Sequence, residues 1–128
     1  MSDKLEPTER ISEAELAVMD VLWENAPLCA QDVGEAVCAA RGWSLPTVKT
    51  LLSRLVTKQA LTTVRDGKRF LYSPAIDRSD YVGTESRRLV DRLFGGRAAP
   101  LFAQLAEAQA LTDTDIAEIE ALLKELKS

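Results

Sequence analysis

Residues 44–58, SLPTVKTLLSRLVTK, decide the architecture. Val48, Leu51, Leu52, Leu55 and Val56 recur at i, i+3, i+4, i+7 and i+8, which gathers apolar side chains on one side of an α-helix. Ser44, Leu45 and Pro46 start it, since proline is tolerated in a first helical turn. At about 100° per residue, Thr50, Ser53, Arg54 and Thr57 fall opposite the apolar stripe, and Thr47, Lys49 and Lys58 flank it. The outer face holds hydroxyls and positive charge. It holds no carboxylate.

Downstream, residues 61–65 and 69–73 are strand-like and joined around Asp66-Gly67, a dipeptide that favours a tight hairpin turn. Arg65, Lys68 and Arg69 cluster at the tip, and Pro74 closes the hairpin. Upstream, residues 30–40 form a helix with Ala30, Val33, Val37 and Ala40 on one side, ended by a left-handed Gly42. The sharp turn over residues 40–45 suits a helix-turn-helix pair. An earlier helix opens with the capping box Ser12 and Glu15, with Ile11 and Leu16 placed for a hydrophobic staple. Ala14, Ala17, Val18, Val21 and Leu22 make its stripe, widened by Leu16, Met19 and Trp23, and Pro27 ends it. Trp23 and Trp43 read as anchors in or at the edge of the core.

Beyond the hairpin, a helix over residues 77–94 is expected to bury Val82, Leu89, Val90, Leu93 and Phe94 before Gly95-Gly96 stop it. A short helix over residues 98–106 follows. Thr112 caps the last helix, whose seam is Ile116, Ile119, Leu122, Leu123 and Leu126. Because that helix is remote from the hairpin, its seam is expected to form a two-fold dimer interface. The interface would also draw on Leu89, Leu93, Phe94, Leu101, Phe102 and Leu105. The expected fold is mainly α with a small β-hairpin: a winged helix-turn-helix over residues 11–76 and a helical dimerisation region over 77–128. Residues 1–10, polar and containing Pro7, read as a flexible arm.

A chain of 128 residues with 46% hydrophobic and 28% charged residues can enclose a core without staples. Histidine is absent, which removes the commonest general base and most metal sites. No nucleophile motif, phosphate loop or acid/base pair is visible, so neither an enzyme nor a cofactor is expected. Two unpatterned cysteines and no visible secretory signal point to the cytoplasm. The net charge of −4 is unevenly spread: −7 over residues 1–40, +6 over 41–92 and −3 over 93–128. Residues 41–69 hold 7 basic side chains and 1 acidic one.

That basic middle suits a polyanion. Duplex DNA has regularly spaced phosphates and a major groove that admits one α-helix. A reader needs short polar side chains for base edges, ringed by cations for phosphates. Thr47, Lys49 and Thr50, early in the helix, are the base-edge candidates, with Ser44 and Ser53 beside them. Arg54 and Lys58 suit phosphates, and Arg65, Lys68 and Arg69 suit the adjacent backbone or minor groove.

Several segments taken in order are similar to the BlaI/MecI penicillinase-repressor family, which also includes copper-responsive repressors. They are ISEAEL (11–16), VLW (21–23), GWS (42–44), TVKTLL (47–52), RL (54–55), LYSP (71–74) and DRLFGG (91–96). The resemblance spans residues 11–127. It implies a dimeric winged-helix repressor, tied to antibiotic resistance, that blocks promoters at pseudo-palindromic operators in double-stranded DNA. It also implies release of the DNA when a membrane sensor protease cleaves the C-terminal region, the repressor itself not being membrane-bound. Five departures stand out. Ser44-Leu45-Pro46-Thr47 lacks the family's proline directly after serine, and Gln59-Ala60 replaces its Lys-Gly. Cys29 stands where a threonine commonly caps the helix, a cap worth about 1 kcal/mol. The cleaved Asn-Phe bond of the best-known members aligns with Gln104-Leu105. The cysteine-rich tail of the copper branch is missing.

Cys29 and Cys38 are nine positions apart, about 900° of helical rotation, and so cannot share a metal or a disulfide. Asp113, Asp115 and Glu118 lack the glycine and terminal glutamate of a calcium loop; they complement a helix dipole. Two other readings stay open at this point. One is a winged-helix protein–protein adaptor. The other is a redox- or ligand-responsive regulator, with Cys29 as sensor, that leaves DNA without being cut.

Overall fold

In a computed structural model, residues 10–128 are described; the arm expected over residues 1–10 lies, but for Arg10, outside them. The elements run α1 (Glu13–Glu24), β1 (Leu28–Cys29), α2 (Ala30–Arg41), α3 (Leu45–Thr57), β2 (Leu61–Asp66), β3 (Arg69–Pro74), α4 (Arg78–Phe94), α5 (Ala99–Glu107) and α6 (Asp113–Lys127). This is the mainly helical winged-helix fold that the periodicity predicts.

Each boundary has a local cause. Ser12 Oγ accepts from the Glu15 amide at 3.1 Å, and Glu15 Oε1 accepts from the Ser12 amide at 2.9 Å, completing the capping box of α1. Gly42 ends α2 at φ 70°, the left-handed conformation that costs glycine least. Cys29 is the N-cap of α2 and makes no side-chain capping bond, so that start is weaker than a threonine would make it. Thr112 and Asp115 form a second capping box, with both bonds at 3.0 Å, at the head of α6. Asp115 therefore works as a helix cap, and no metal-binding group of side chains occurs among the described residues.

The sheet has three antiparallel strands in the order β1-β3-β2, one more than the sequence reading expects. Leu28 pairs with Tyr72 and Cys29 with Leu71. Two residues are too few to display an alternating period, so β1 left no sequence signal. In the hairpin, Asp66 pairs with Arg69, and the two-residue connection is Gly67-Lys68 rather than Asp66-Gly67. Gly67, at φ 66°, stands first in it, where a tight hairpin turn demands glycine.

The chain divides into two compact units, residues 10–81 of the first being described and Val82–Ser128 forming the second. The division falls after Tyr81 rather than after Ile76. The Trp23 indole explains the shift: it donates to Ile76 O at 3.0 Å and packs on the Tyr81 ring, with centroids 5.8 Å apart. The core of the first unit joins Val18, Met19 and Leu22 of α1 to Val33 and Val37 of α2. Val48, Leu51, Leu52 and Leu55 of α3 complete it, with Ala60 and Leu61 beneath the wing. Trp23 and Trp43 pack at its edge. Both cysteines are free, Cys29 buried and Cys38 half-buried.

The second unit corrects an expectation. Val82 and Leu93 of α4 are exposed, and Leu89, Val90 and Phe94 are only half-buried. α4, α5 and α6 contain no fully buried residue. Three short helices carry apolar stripes here without closing a core among themselves.

Candidate nucleic-acid interface

Because α3 gives its apolar stripe to the core, its other side must face outward. Val48, Leu51, Leu52 and Leu55 are buried, whereas Thr47, Lys49, Thr50, Ser53, Arg54 and Thr57 are exposed. No acidic side chain interrupts that face. α2 packs close behind: a Cβ on Gly34 would sit 3.0 Å from Leu45 Cδ1, so glycine lets α2 reach the first turn of α3.

The hydroxyls of this face have definite roles. Ser44 Oγ accepts from the Thr47 amide at 3.4 Å and lies 3.1 Å from Thr47 Oγ1, so Ser44 serves first as the N-cap of α3. Thr50 Oγ1 donates to Pro46 O at 3.1 Å. Its proton is thus spent inside the helix, and only its lone pairs and methyl group face outward.

Lys58 is placed elsewhere. Its Nζ donates to Glu15 Oε1 at 2.6 Å and to Arg10 O at 2.8 Å. Instead of flanking the outward face, it reaches back from the C-cap of α3 to the head of α1. Helical angle alone put it on the flank. A partner 43 residues earlier, carrying a carboxylate that is 2% exposed, decides otherwise. Burial raises the pKa of that Glu15 carboxyl. The hydrogen bonds from Lys58 and Ser12, with the Lys58 charge, outweigh it and hold the pKa below the ordinary carboxylate value.

The wing cations differ among themselves. Arg65 Nε donates to Gly67 O at 3.1 Å and its guanidinium lies 5.4 Å over the Phe70 ring, a preorganised cation at the tip. Arg69 pairs with Asp66 at 3.1 Å and turns its Nη1 to within 3.9 Å of Cys29 Sγ. Lys68 occupies the turn itself, with no ion pair among the described residues. One cation escaped the sequence reading. Arg41, exposed in the last turn of α2, holds its guanidinium 5.5 Å over Trp43 beside the start of α3. The R-G-W spacing could have signalled it, since only Gly42 separates the cation from the ring.

The family model for the penicillinase repressor matches residues 11–125. The chain belongs to that family. Among relatives, it is 33% identical to the penicillinase repressor of Bacillus licheniformis over 93% of each chain. It is 28% identical to the methicillin resistance regulatory protein MecI of Staphylococcus aureus, over 91% of this chain and 94% of that one. Of solved structures, the DNA-binding domain of the repressor BlaI aligns with a TM-score of 0.53 at 38% identity, covering 60% of this chain and 94% of that one. Bacillus licheniformis BlaI, solved as a monomer bound to the blaP half-operator, aligns with a TM-score of 0.50 at 40% identity, over 56% and 88%. The family is one of repressors, not enzymes, and among the described residues no helix is long and apolar enough to cross a membrane.

Proposed function

We propose that the protein is a DNA-binding transcriptional repressor that acts as a homodimer on a pseudo-palindromic operator, each subunit laying α3 in the major groove of one half-site. The observation that carries this reading is the exposed, acid-free face of α3, with Thr47, Lys49 and Thr50 in its first two turns and Arg54 behind them. Arg54, Arg41, Arg65 and Lys68 supply the flanking phosphate contacts. Their registry on the duplex follows from a rigid three-helix core rather than from flexible loops. The BlaI complex supports the DNA partner, and a half-operator is what one member of a two-fold pair would cover.

The second unit is the dimerisation region in this reading, supported by the apolar side chains it leaves exposed: Leu93, Phe102, Ile116, Leu122, Leu123 and Leu126. Release by a membrane sensor protease would cut between Gln104 and Leu105. That bond lies inside α5, with Gln104 exposed and Leu105 half-buried. A protease takes its substrate extended, so this helix must open locally before the bond is reached.

Titration of the DNA upstream of the protein's own gene, against random duplex, at two salt concentrations tests the proposal. The expected result is salt-dependent binding to both, tighter for the upstream DNA. Failure to bind either duplex would identify a protein–protein adaptor instead.

A further inference from the structure

Lys58, the one cation of the α3 segment that does not face outward, has a different task. Its ammonium closes a ring of contacts that starts at the Ser12–Glu15 capping box, passes through Glu15 Oε1 and the Arg10 carbonyl, and ends at the C-cap of α3. Glu15 is the only buried charged side chain among the described residues. A carboxylate so placed needs a partner, and the geometry of its partner is therefore narrowly set. Immediately after Lys58 the backbone turns left-handed at Gln59, and Ala60 and Leu61 enter the core at the root of the wing. The pair thus sits where the orientation of α3 and the departure of the wing are both decided.

We infer that Glu15 and Lys58 are positioning residues for DNA recognition: the ion pair of the buried Glu15 with the half-buried Lys58 locks the C-terminal end of α3 and the root of the wing onto α1, without either side chain touching DNA. This rests on the repressor reading above. In its absence α3 would remain a helix, held by its apolar stripe, but its tilt over α1 would be free to vary. Base contacts made by its first turns would then be lost part of the time.

The pair makes a prediction that a phosphate-binding lysine does not. Glu15→Gln and Lys58→Met in the full chain are expected each to weaken operator binding by about threefold to thirtyfold, the span of energetic coupling through packed elements. The dependence of log affinity on log salt should keep the wild-type slope. The double variant should lose little more than either single one, and Lys58→Arg should restore much of the affinity. A shallower salt slope for Lys58→Met, with Glu15→Gln binding like wild type, would make Lys58 a phosphate contact and overturn the inference. A lowered melting temperature with unchanged affinity of the folded protein would also overturn it, because the pair would then only stabilise. Amide hydrogen exchange over residues 56–61, measured without DNA, gives an independent readout and should quicken in both single variants. Should the wild type bind no duplex at all, the repressor reading fails, and exchange still decides for or against the lock.

Discussion

Single residues in this protein are distinguished less by type than by where their hydrogen bonds go. Arg54 is exposed on α3 with no ion pair among the described residues, so Arg54→Ala should weaken binding to every duplex alike and reduce the salt slope by about 0.9. Thr50 differs because its hydroxyl proton goes to Pro46 O. It can accept from the amino group of adenine or cytosine, or touch a thymine methyl, but it has no proton to donate. Thr50→Ala should therefore change discrimination at one base pair by about 1 kcal/mol with the salt slope intact, as competition between operator variants would report. Glu15 sets a pH dependence. Its folded pKa lies below the ordinary carboxylate value of 4.5, so it contributes stability that is present above that pH and is lost as pH falls through the depressed folded pKa. Denaturant titration of wild type and Glu15→Gln across pH 3 to 6 should show the wild-type curve falling more steeply on the acid side. Parallel curves would mean that the pair with Lys58 carries no such linkage.

Elements were legible in proportion to their length and regularity. The stripe of α3, the capping box of α1, the Gly42 terminator and the hairpin all announce themselves locally, because each needs only neighbours within one or two turns. β1 does not, since two residues carry no period and the strand exists only because Tyr72 and Leu71 lie alongside it. Nor does the inward turn of Lys58, which depends on a carboxylate 43 residues away. The connection from α3 to β2 shows the same limit. The chain has Gln59 at φ 68° there, a left-handed position that costs a residue with a Cβ about 1–2 kcal/mol. Gln59→Gly relieves that strain but loosens the unfolded chain by about 0.4–1 kcal/mol, so a net gain of up to about 1.6 kcal/mol is expected. Gly42→Ala, at φ 70° in the preceding turn, should do the reverse and cost about 1 kcal/mol or more. Chemical denaturation measures both, and equal stability of the two variants would contradict the backbone argument.

For the molecule as a whole, the sharpest contrast lies between its two units. The first encloses a core in which Val18, Met19, Leu22, Leu52 and Leu55 have no accessible surface, and of its large apolar side chains only Val64 and Phe70 of the wing are exposed among the described residues. The second leaves Leu126 at 81% and Leu122 at 60% exposure, and opens a groove of about 600 Å³ lined by Phe102, Leu111, Ile116, Ile119 and Leu123. Periodicity revealed that α6 has an apolar side but could not reveal that the second unit leaves much of it exposed. Apolar surface exposed in this way is unfavourable in water. If a second copy covers it, two half-sites bind as one linked event, and the avidity gained is about 10²–10⁴-fold without any new base contact. Leu122→Glu with Leu126→Glu puts two carboxylates on that side while leaving the core of the first unit untouched. Sedimentation should then report a monomer, and affinity for a two-half-site operator should fall by about a hundredfold or more. Affinity for an isolated half-site should stay at the wild-type value, because α3 and the wing are unchanged. A variant that remains dimeric would place the interface elsewhere, and one that stays monomeric yet binds the full operator undiminished would remove the second unit from DNA recognition.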